Sequence, residues 1–138
     1  MSEAGDNDLG VSRVVVIGAS LAGMSAVQAL RAAGHDDEIV VLDAAEVLPK
    51  DRPPLSKQVL SGEWDIGRAN QPVAGQLGEL DVQLHLGTAV QGLEVDDRAV
   101  VLADGSRVSA NGIVIATGSA ARQLPGGQPR GVFTLRTG

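Results

Sequence analysis

The chain has 138 residues, 43% of them apolar, and its 11 basic and 17 acidic side chains give a formal charge of −6. These values predict one ordinary globular domain and argue against nucleic acid or an anionic membrane as a partner. The absence of cysteine excludes disulfides, thiolate metal ligands and a thiol nucleophile. The two histidines, His35 and His85, lack ligand spacing, so we expect no metal site.

Residues Met1–Val11 are polar and acidic and predict a flexible tail, so the folded part of the chain is expected over 12–138. The sequence contains neither an apolar leader nor a run long enough to span a bilayer. We therefore expect a cytoplasmic protein with no membrane partner.

The first predicted strand, Ser12–Ile17, ends in four β-branched residues, which is typical of a parallel strand buried on both faces. A glycine-containing turn, Gly18–Gly23, leads into a helical pattern over Leu21–Ala33. Gly34 is suited to end that helix because glycine readily adopts the left-handed backbone conformation. A second buried strand follows over Glu38–Leu42, so this part of the chain predicts a βαβ unit with a right-handed crossover.

A loop with three prolines spans Asp43–Pro54 and precedes a short predicted helix, Leu55–Leu60. A weaker helical pattern covers Val73–Leu80, and a third apolar strand is predicted at Val82–Leu86. Shorter strands follow, and Asp104-Gly105 between two of them is a typical hairpin signal. An antiparallel meander is predicted over Ala89–Val95, Ala99–Leu102 and Arg107–Val108, with further strands at Gly112–Ala116 and Phe133–Leu135.

The turn at Gly18–Gly23 has the pattern G-x-S-x-x-G, a dinucleotide-binding fingerprint with Ser20 at the middle glycine position. Gly18 permits a tight turn, Gly23 permits close packing of helix on strand, and the small Ser20 leaves room for a pyrophosphate. Free N–H groups and the dipole at the helix start favour phosphates. A strand–turn–helix without a ligand is the alternative for this motif alone. With its neighbours, it predicts an α/β fold, a Rossmann-like parallel sheet with a small antiparallel β-meander.

Asp43 ends the second predicted strand, twenty residues after Gly23. A carboxylate at this place accepts hydrogen bonds from the ribose hydroxyls of an adenine dinucleotide. It would repel a 2′-phosphate, which favours FAD or NAD over NADP at this site. A solvated loop acid is the alternative interpretation.

Two later stretches have weaker meaning by themselves. Asp51–Lys57 reads D-R-P-P-L-S-K, a rigid turn into a short helix, and for this segment alone a loop with solvated charges is the better interpretation. Ile113–Ser119 is a buried strand that ends in small residues, which leave room for a ligand in the crevice beyond a parallel sheet. An ordinary strand and turn is the alternative there.

Taken in order, four stretches resemble the N-terminal part of FAD-dependent pyridine nucleotide-disulfide oxidoreductase-like enzymes. The branch that they resemble is the ferredoxin reductases, which includes the putidaredoxin, rubredoxin and biphenyl-dioxygenase ferredoxin reductases. D-R-P-P-L-S-K is the stretch most specific to this branch, and the resemblance covers about residues 12–138. The stretches that carry it are Gly18–Gly23, Asp51–Lys57, Ala116–Ser119 and Gly131–Thr137.

The resemblance implies an FAD site in which the pyrophosphate lies over Ser20–Gly23. It implies that the adenosine ribose meets Asp43 or Ala44, and that Val90 touches the adenine. Lys57 is given the catalytic role, because its ammonium near the flavin ring would stabilise negative charge on reduced flavin. The implied cofactor-binding residues are Gly18, Ser20, Leu21, Ala22, Gly23, Asp43, Ala44, Arg52, Lys57, Val90, Ala116, Thr117, Gly118 and Arg136.

The chain departs from the family pattern at several places. Lys50 stands where the family usually has an aromatic residue or histidine before D-R-P-P. Ala44 and Ala45 replace the acid that often follows the second strand, with Asp43 as the substitute. The stretch 69–72 is more polar than the family pattern, which puts the docking of its helix in question.

The implied activity is that of an NAD(P)H:ferredoxin reductase, in which a hydride passes from nicotinamide to FAD and electrons then pass to a ferredoxin-type iron–sulfur protein. Such enzymes continue into a nicotinamide-binding domain and then complete the FAD site, and the 138 residues contain neither part. We therefore expect an incomplete FAD-binding domain, inactive alone, whose uncovered apolar surface allows self-association. Two alternatives stay open, an NAD-binding Rossmann module and a non-catalytic shortened interaction module.

Overall fold

The computed structural model describes residues 11–70, 77–127 and 129–134. The regular elements are, in chain order, strand β1 (Arg13–Ile17), helix α1 (Leu21–Ala32), strand β2 (Glu38–Leu42), a π-helical segment (Leu55–Val59), a 3₁₀ segment (Ile66–Asn70), and strands β3 (Gln83–His85), β4 (Val90–Glu94), β5 (Ala99–Leu102), β6 (Arg107–Ser109) and β7 (Gly112–Ile115).

Four strands form a parallel sheet in the order β3-β2-β1-β7. The chain moves from β1 to one side through β2 and β3, and it returns on the other side as β7. This reversal leaves a crevice beyond the carboxyl ends of β1 and β7, which is where open α/β sheets bind ligands. The central strands are buried as predicted, since Val15, Val16 and Val41 have no exposed surface.

Each face of the parallel sheet packs against a different partner. Val14 and Val16 point to the same side as Ile39 and Val41, and they meet Val27 of α1. The intervening residues pack on the opposite side against the antiparallel sheet, which has the order β4-β5-β6. The second core cluster consists of Val15, Val40, Leu42, Val100 and Ala110. The predicted α/β class, with a parallel sheet and a separate antiparallel meander, is therefore confirmed.

The end of α1 explains why Gly34 follows it. The helix ends at Ala32, and Gly34 has a φ of +86°. The Gly34 N–H donates to the Arg31 carbonyl at 3.1 Å, and the His35 N–H donates to the Leu30 carbonyl at 3.0 Å. This pair of bonds is a Schellman motif, which requires the left-handed conformation at the glycine.

The predicted hairpin at Asp104-Gly105 is present between β5 and β6. Gly105 has a φ of +84°, and the Leu102 N–H donates to the Ser106 carbonyl at 2.9 Å. The Asp104 carboxylate accepts bonds from the Ser106 N–H and hydroxyl at 2.8 and 2.6 Å. A three-residue loop with glycine in the left-handed region is a common hairpin connection.

Three expectations differ from the structure or fall outside it. The short helix after the prolines is π-helical, because the Pro54 carbonyl accepts the Val59 N–H at 3.0 Å. The predicted helix over Val73–Leu80 lies largely outside the described residues. Phe133 and Thr134 form no strand and follow a turn at Gly131, and Leu135 lies outside the described residues.

Two findings concern the segments outside the core. Residues Met1–Gly10 of the predicted tail lie outside the described residues, whereas Val11 is partly buried beside the first core cluster. Within the described ranges, no helix combines the length and the apolar character that crossing a bilayer requires.

Candidate functional site

The turn after β1 is compressed against its neighbours so tightly that two positions require glycine. Gly18 has a φ of +107°, and a Cβ there would lie 2.4 Å from the Ala116 carbonyl oxygen at the end of β7. A Cβ on Gly23 would lie 1.8 Å from the Gly18 carbonyl oxygen. The first and last glycines of the motif therefore allow the close approach of β1, α1 and β7.

Ser20 is the residue that precedes α1, and the start of this helix is open. Its backbone is extended, its carbonyl accepts the Met24 N–H at 2.9 Å, and its side chain makes no capping hydrogen bond. The first helical turn carries no acidic side chain, Leu21 is 81% exposed, and Ala22 is exposed as well. The N–H groups and positive dipole end are thus available to an anion.

Asp43 joins the glycine turn to the loop that follows β2. Its Oδ2 accepts the Ala19 N–H at 2.7 Å, and its Oδ1 accepts the Ala45 N–H at 2.8 Å. Its own backbone N–H donates to the His85 carbonyl at 3.0 Å, and its carbonyl accepts the Thr88 N–H at 2.8 Å. The carboxylate is therefore part of the turn structure, and its remaining lone pairs can accept hydrogen bonds from hydroxyl groups.

A groove with a cavity of about 360 Å³ opens at the carboxyl ends of the strands. The glycine turn, the end of β7 and the loop after β2 all contribute to it. Three of its lining residues carry charge, namely Asp43, Lys50 and Arg52. Among the described residues, the lining consists of Gly18, Ser20, Asp43, Ala45, Val47, Leu48, Pro49, Lys50, Arg52, Ala116 and Thr117.

A smaller cavity of about 130 Å³ adjoins this groove, since both are lined by Gly18, Asp43 and Thr117. It adds Ala44 and Val90 to the neighbourhood of Asp43. Its other lining residues are Ile17, Leu42 and Thr88. The two cavities therefore share lining residues at the switch point of the sheet.

The structure brings most of the sequence-predicted residues together, but not all. Lys57 is exposed on the π-helical segment and does not line the groove. Gly118, with a φ of +71°, is exposed just beyond β7. Gly23 is buried beneath Gly18, whereas Leu21 and Ala22 are exposed at the start of α1, and none of the three is among the lining residues of the groove or of the smaller cavity. Arg136 lies outside the described residues.

The groove also includes residues that the motifs did not single out as cofactor-binding. Val47, Leu48, Pro49 and Lys50 form much of one wall. The signal that points to them is their position, because the loop after β2 leaves the carboxyl edge of the sheet, where ligands bind. Residue type alone did not distinguish them from ordinary loop residues.

A family model described as "Pyridine nucleotide-disulphide oxidoreductase" matches residues 12–137. The benzene 1,2-dioxygenase system ferredoxin–NAD(+) reductase subunit of Pseudomonas putida is 42% identical over 132 residues, covering 91% of this chain and 31% of the relative. The chlorobenzene dioxygenase ferredoxin reductase component of Cupriavidus sp. (strain PS12) is 44% identical over 131 residues, with coverage of 91% and 31%.

Among solved structures, the covalent putidaredoxin reductase–putidaredoxin complex superposes with a TM-score of 0.76 at 33% sequence identity. The superposition covers 83% of this chain and 27% of the matched chain. The chain thus spans about 31% of the length of the curated relatives named above. On the family match and the shared fold, the chain belongs to the pyridine nucleotide-disulphide oxidoreductase family.

Proposed function

We propose that this chain is the FAD-binding portion of an NAD(P)H:ferredoxin reductase-type flavoprotein. The observation that carries the proposal is the cradle at the switch point, where Gly18, the start of α1 and the Asp43 carboxylate lie at one groove. A Cβ at Gly18 or Gly23 would clash with backbone atoms of Ala116 or Gly18, so both glycines hold β1, α1 and β7 close together around the groove. The two relatives described above are named as ferredoxin reductases.

The adenosine half of the cofactor fits the two adjoining cavities. The start of α1, over Ser20–Gly23, supplies backbone N–H groups for a diphosphate. Asp43 retains lone pairs for ribose hydroxyls beside its two backbone bonds. Ala44 and Val90 line the smaller cavity next to Asp43, which suits the ribose and the adenine.

We assign the flavin half of the cofactor to the part of the groove that Arg52, Ala116 and Thr117 line. Ala116 and Thr117 form the floor beyond β7, and Arg52 contributes a cation to the wall. FAD, when bound, supplies the chemistry that takes a hydride from nicotinamide and delivers single electrons to an iron–sulfur protein. We assign to Lys57 the electrostatic stabilisation of negative charge at the ring, and to Gly118 and Arg136 further contacts with the cofactor.

The complete electron transfer is proposed for a protein that also holds a nicotinamide site. The chain spans 31% of the length of the two curated relatives, and the cavities described above are assigned to FAD. The ferredoxin-type partner is proposed from the names of these relatives and from the solved complex of putidaredoxin reductase with putidaredoxin. We expect the 138-residue chain by itself to bind FAD without turning over NADH.

The test is FAD binding by the purified 138-residue chain, read from visible absorbance and from quenching of flavin fluorescence. We expect the flavin to co-purify or to be taken up from solution, and we expect no NADH:acceptor activity. A colourless protein that takes up no added FAD would contradict cofactor binding by this chain. NADH turnover at the rate of an ordinary reductase would contradict the proposal that electron transfer needs a nicotinamide site outside these 138 residues.

An NAD-binding Rossmann module is the second candidate, because the Asp43 carboxylate suits the ribose of either dinucleotide. The same titration distinguishes the two. Tight binding of NADH without affinity for FAD would favour the NAD module.

A non-catalytic interaction module is the third candidate, and exposed apolar side chains favour it. Ile115 at the end of β7 is 67% exposed, and Phe133 is 88% exposed. Apolar surface of this kind marks interaction sites when it is contiguous. Light scattering after size-exclusion chromatography tests the accompanying self-association, and a compact monomer at all concentrations would count against this candidate.

A further inference from the structure

The charge balance of the groove is opposite to that of the chain. The 138 residues carry a formal charge of −6, whereas the charged residues that line the groove within the described part of the chain are two cations and one anion. The anion is Asp43, whose oxygens already accept two backbone N–H groups. A cavity with excess positive charge in an acidic protein concentrates an anionic ligand at that place.

The start of α1 neutralises only part of a diphosphate. A helix N-terminus is equivalent to roughly half of one positive charge, and the diphosphate of a dinucleotide carries about two negative charges. The first turn of α1 contains Leu21, Ala22 and Gly23, none of which carries charge. Lys50 and Arg52 are therefore the remaining positive charges among the described residues that line the groove.

Lys50 differs in solvent exposure from Arg52 and Lys57, the two cations of the D-R-P-P-L-S-K stretch. Lys50 is half-buried and lines the groove, whereas Arg52 and Lys57 are exposed. The residues before Lys50 on the wall are apolar, namely Val47, Leu48 and Pro49, and they offer its aliphatic stem a surface to cover. Lys50 is therefore the less exposed of the two cations that line the described groove.

We infer that Lys50 is a further cofactor-binding residue, whose ammonium pairs with the diphosphate of a dinucleotide bound in the groove that Gly18 and Ser20 also line. The inference rests on the proposed function and extends it to a residue outside the glycine motif and the Asp51–Lys57 stretch. Because Lys50 stands where the resembling enzymes usually have an aromatic residue or histidine, this cation would be a feature of this chain.

The test compares three variants of the 138-residue chain in titrations with FAD, ADP and adenosine. Lys50→Gln removes the charge, Lys50→Arg keeps it, and Arg98→Gln removes an exposed charge on the turn between β4 and β5. We expect Lys50→Gln to lower the affinity for FAD and ADP about tenfold, since charge-assisted hydrogen bonds are among the strongest hydrogen bonds. The affinity for adenosine, which has no phosphate, should not change. Lys50→Arg should retain most of the affinity, and Arg98→Gln should retain all of it.

Salt dependence provides a second readout. Raising the salt concentration should weaken FAD binding by the parent chain more steeply than by Lys50→Gln, because one ionic contact is gone. Equal affinities of Lys50→Gln and Arg98→Gln for FAD would overturn the inference and leave the proposed function standing. Equal weakening of adenosine and ADP would overturn the assignment to the diphosphate.

The titrations also separate failure of the proposed function from failure of the inference. A parent chain that binds ADP but not FAD would contradict the proposed function, and the effect of Lys50→Gln on ADP would still decide the role of Lys50. A parent chain that binds neither ligand would overturn both.

Discussion

The backbone N–H of Ala19 donates a 2.7 Å hydrogen bond to Oδ2 of Asp43, which ties the glycine turn after β1 to the end of β2. The other carboxylate oxygen accepts a hydrogen bond from the Ala45 N–H at 2.8 Å, so one side chain links two loops of the site. The group that we propose for ribose binding therefore also shapes the turn that we propose for phosphate binding.

Replacing Asp43 by asparagine is expected to lower stability as well as FAD affinity. The amide can present one oxygen only, so one of the two N–H donors, at Ala19 or Ala45, loses its acceptor. Leaving the N–H of the buried Ala19 unpaired costs about 1–3 kcal/mol, whereas the N–H of the exposed Ala45 can bond to water at a smaller cost. Urea unfolding without cofactor measures the loss, with the exposed Asp36→Asn as the matched control. Identical midpoints for both variants would show that the carboxylate does not hold the turn.

Adding one methyl group at Gly23 is expected to disrupt the fold. The new Cβ would lie 1.8 Å from the Gly18 carbonyl oxygen, which is backbone and cannot rotate away. We expect Gly23→Ala to lower the free energy of unfolding by about 3 kcal/mol or more. Gly78→Ala is the control, because a Cβ there meets nothing within 4 Å. Thermal unfolding by circular dichroism compares the two, and equal melting temperatures would refute the close packing.

Arg31 links α1 to the segments before β2 and before β3 by donating hydrogen bonds to their backbone carbonyls. Its Nε donates to Leu80 at 2.9 Å, its Nη2 to Asp81 at 2.7 Å, and its Nη1 to Asp37 at 2.8 Å. Bonds from a charged donor contribute about 1.5–3 kcal/mol each, so we expect Arg31→Met to lose about 2 kcal/mol or more. Arg31→Lys should recover little, because an ammonium cannot reproduce the planar fork.

Denaturant unfolding provides the measurement for Arg31, with the exposed Arg122→Met as the control. A loss no larger in Arg31→Met than in Arg122→Met would mean that these carbonyl bonds add nothing to stability.

The antiparallel sheet carries a pH-dependent ion pair between Glu94 and Arg107. Arg107 donates to both carboxylate oxygens at 2.7 and 2.9 Å, and this hydrogen bonding lowers the pKa of Glu94 below its ordinary value of 4.5. Because the folded-state pKa is depressed, the pair stabilises the fold above pH 4.5 and loses its effect as the pH falls through the folded value. Both side chains are in contact with solvent, so the effect is small and sensitive to salt.

Arg107→Gln is expected to return the pKa of Glu94 toward 4.5, as followed by carboxyl chemical shifts during an NMR titration. Asp104 is the internal reference, because its pKa is lowered by hydrogen bonds from Ser106 and should not respond to this substitution. A Glu94 titration that is the same in both proteins would contradict the proposed cause of the shift.

Local patterns predicted the elements whose hydrogen bonds are local. The β-branched run before Gly18 specified β1, and Gly34 correctly ended α1, because both depend on neighbours a few residues away. The same reasoning predicted an ordinary helix at Leu55–Leu60, where the Pro54 carbonyl instead accepts the N–H five residues later. Which carbonyl an N–H selects at a proline turn depends on packing, and the residue pattern does not record it.

By itself, the sequence determined the βαβ unit, the meander and the need for glycine at Gly18, since burial period and backbone conformation are encoded locally. Tertiary structure decided what faces the groove. Pairing of β7 with β1 brings Ala116 within contact of Gly18 although ninety-eight residues separate them in the sequence. The same folding brings the loop containing Lys50 to that edge, and it makes Asp43 an acceptor for Ala19. Contacts between distant segments arise from strand order and packing, so only the folded chain could reveal them.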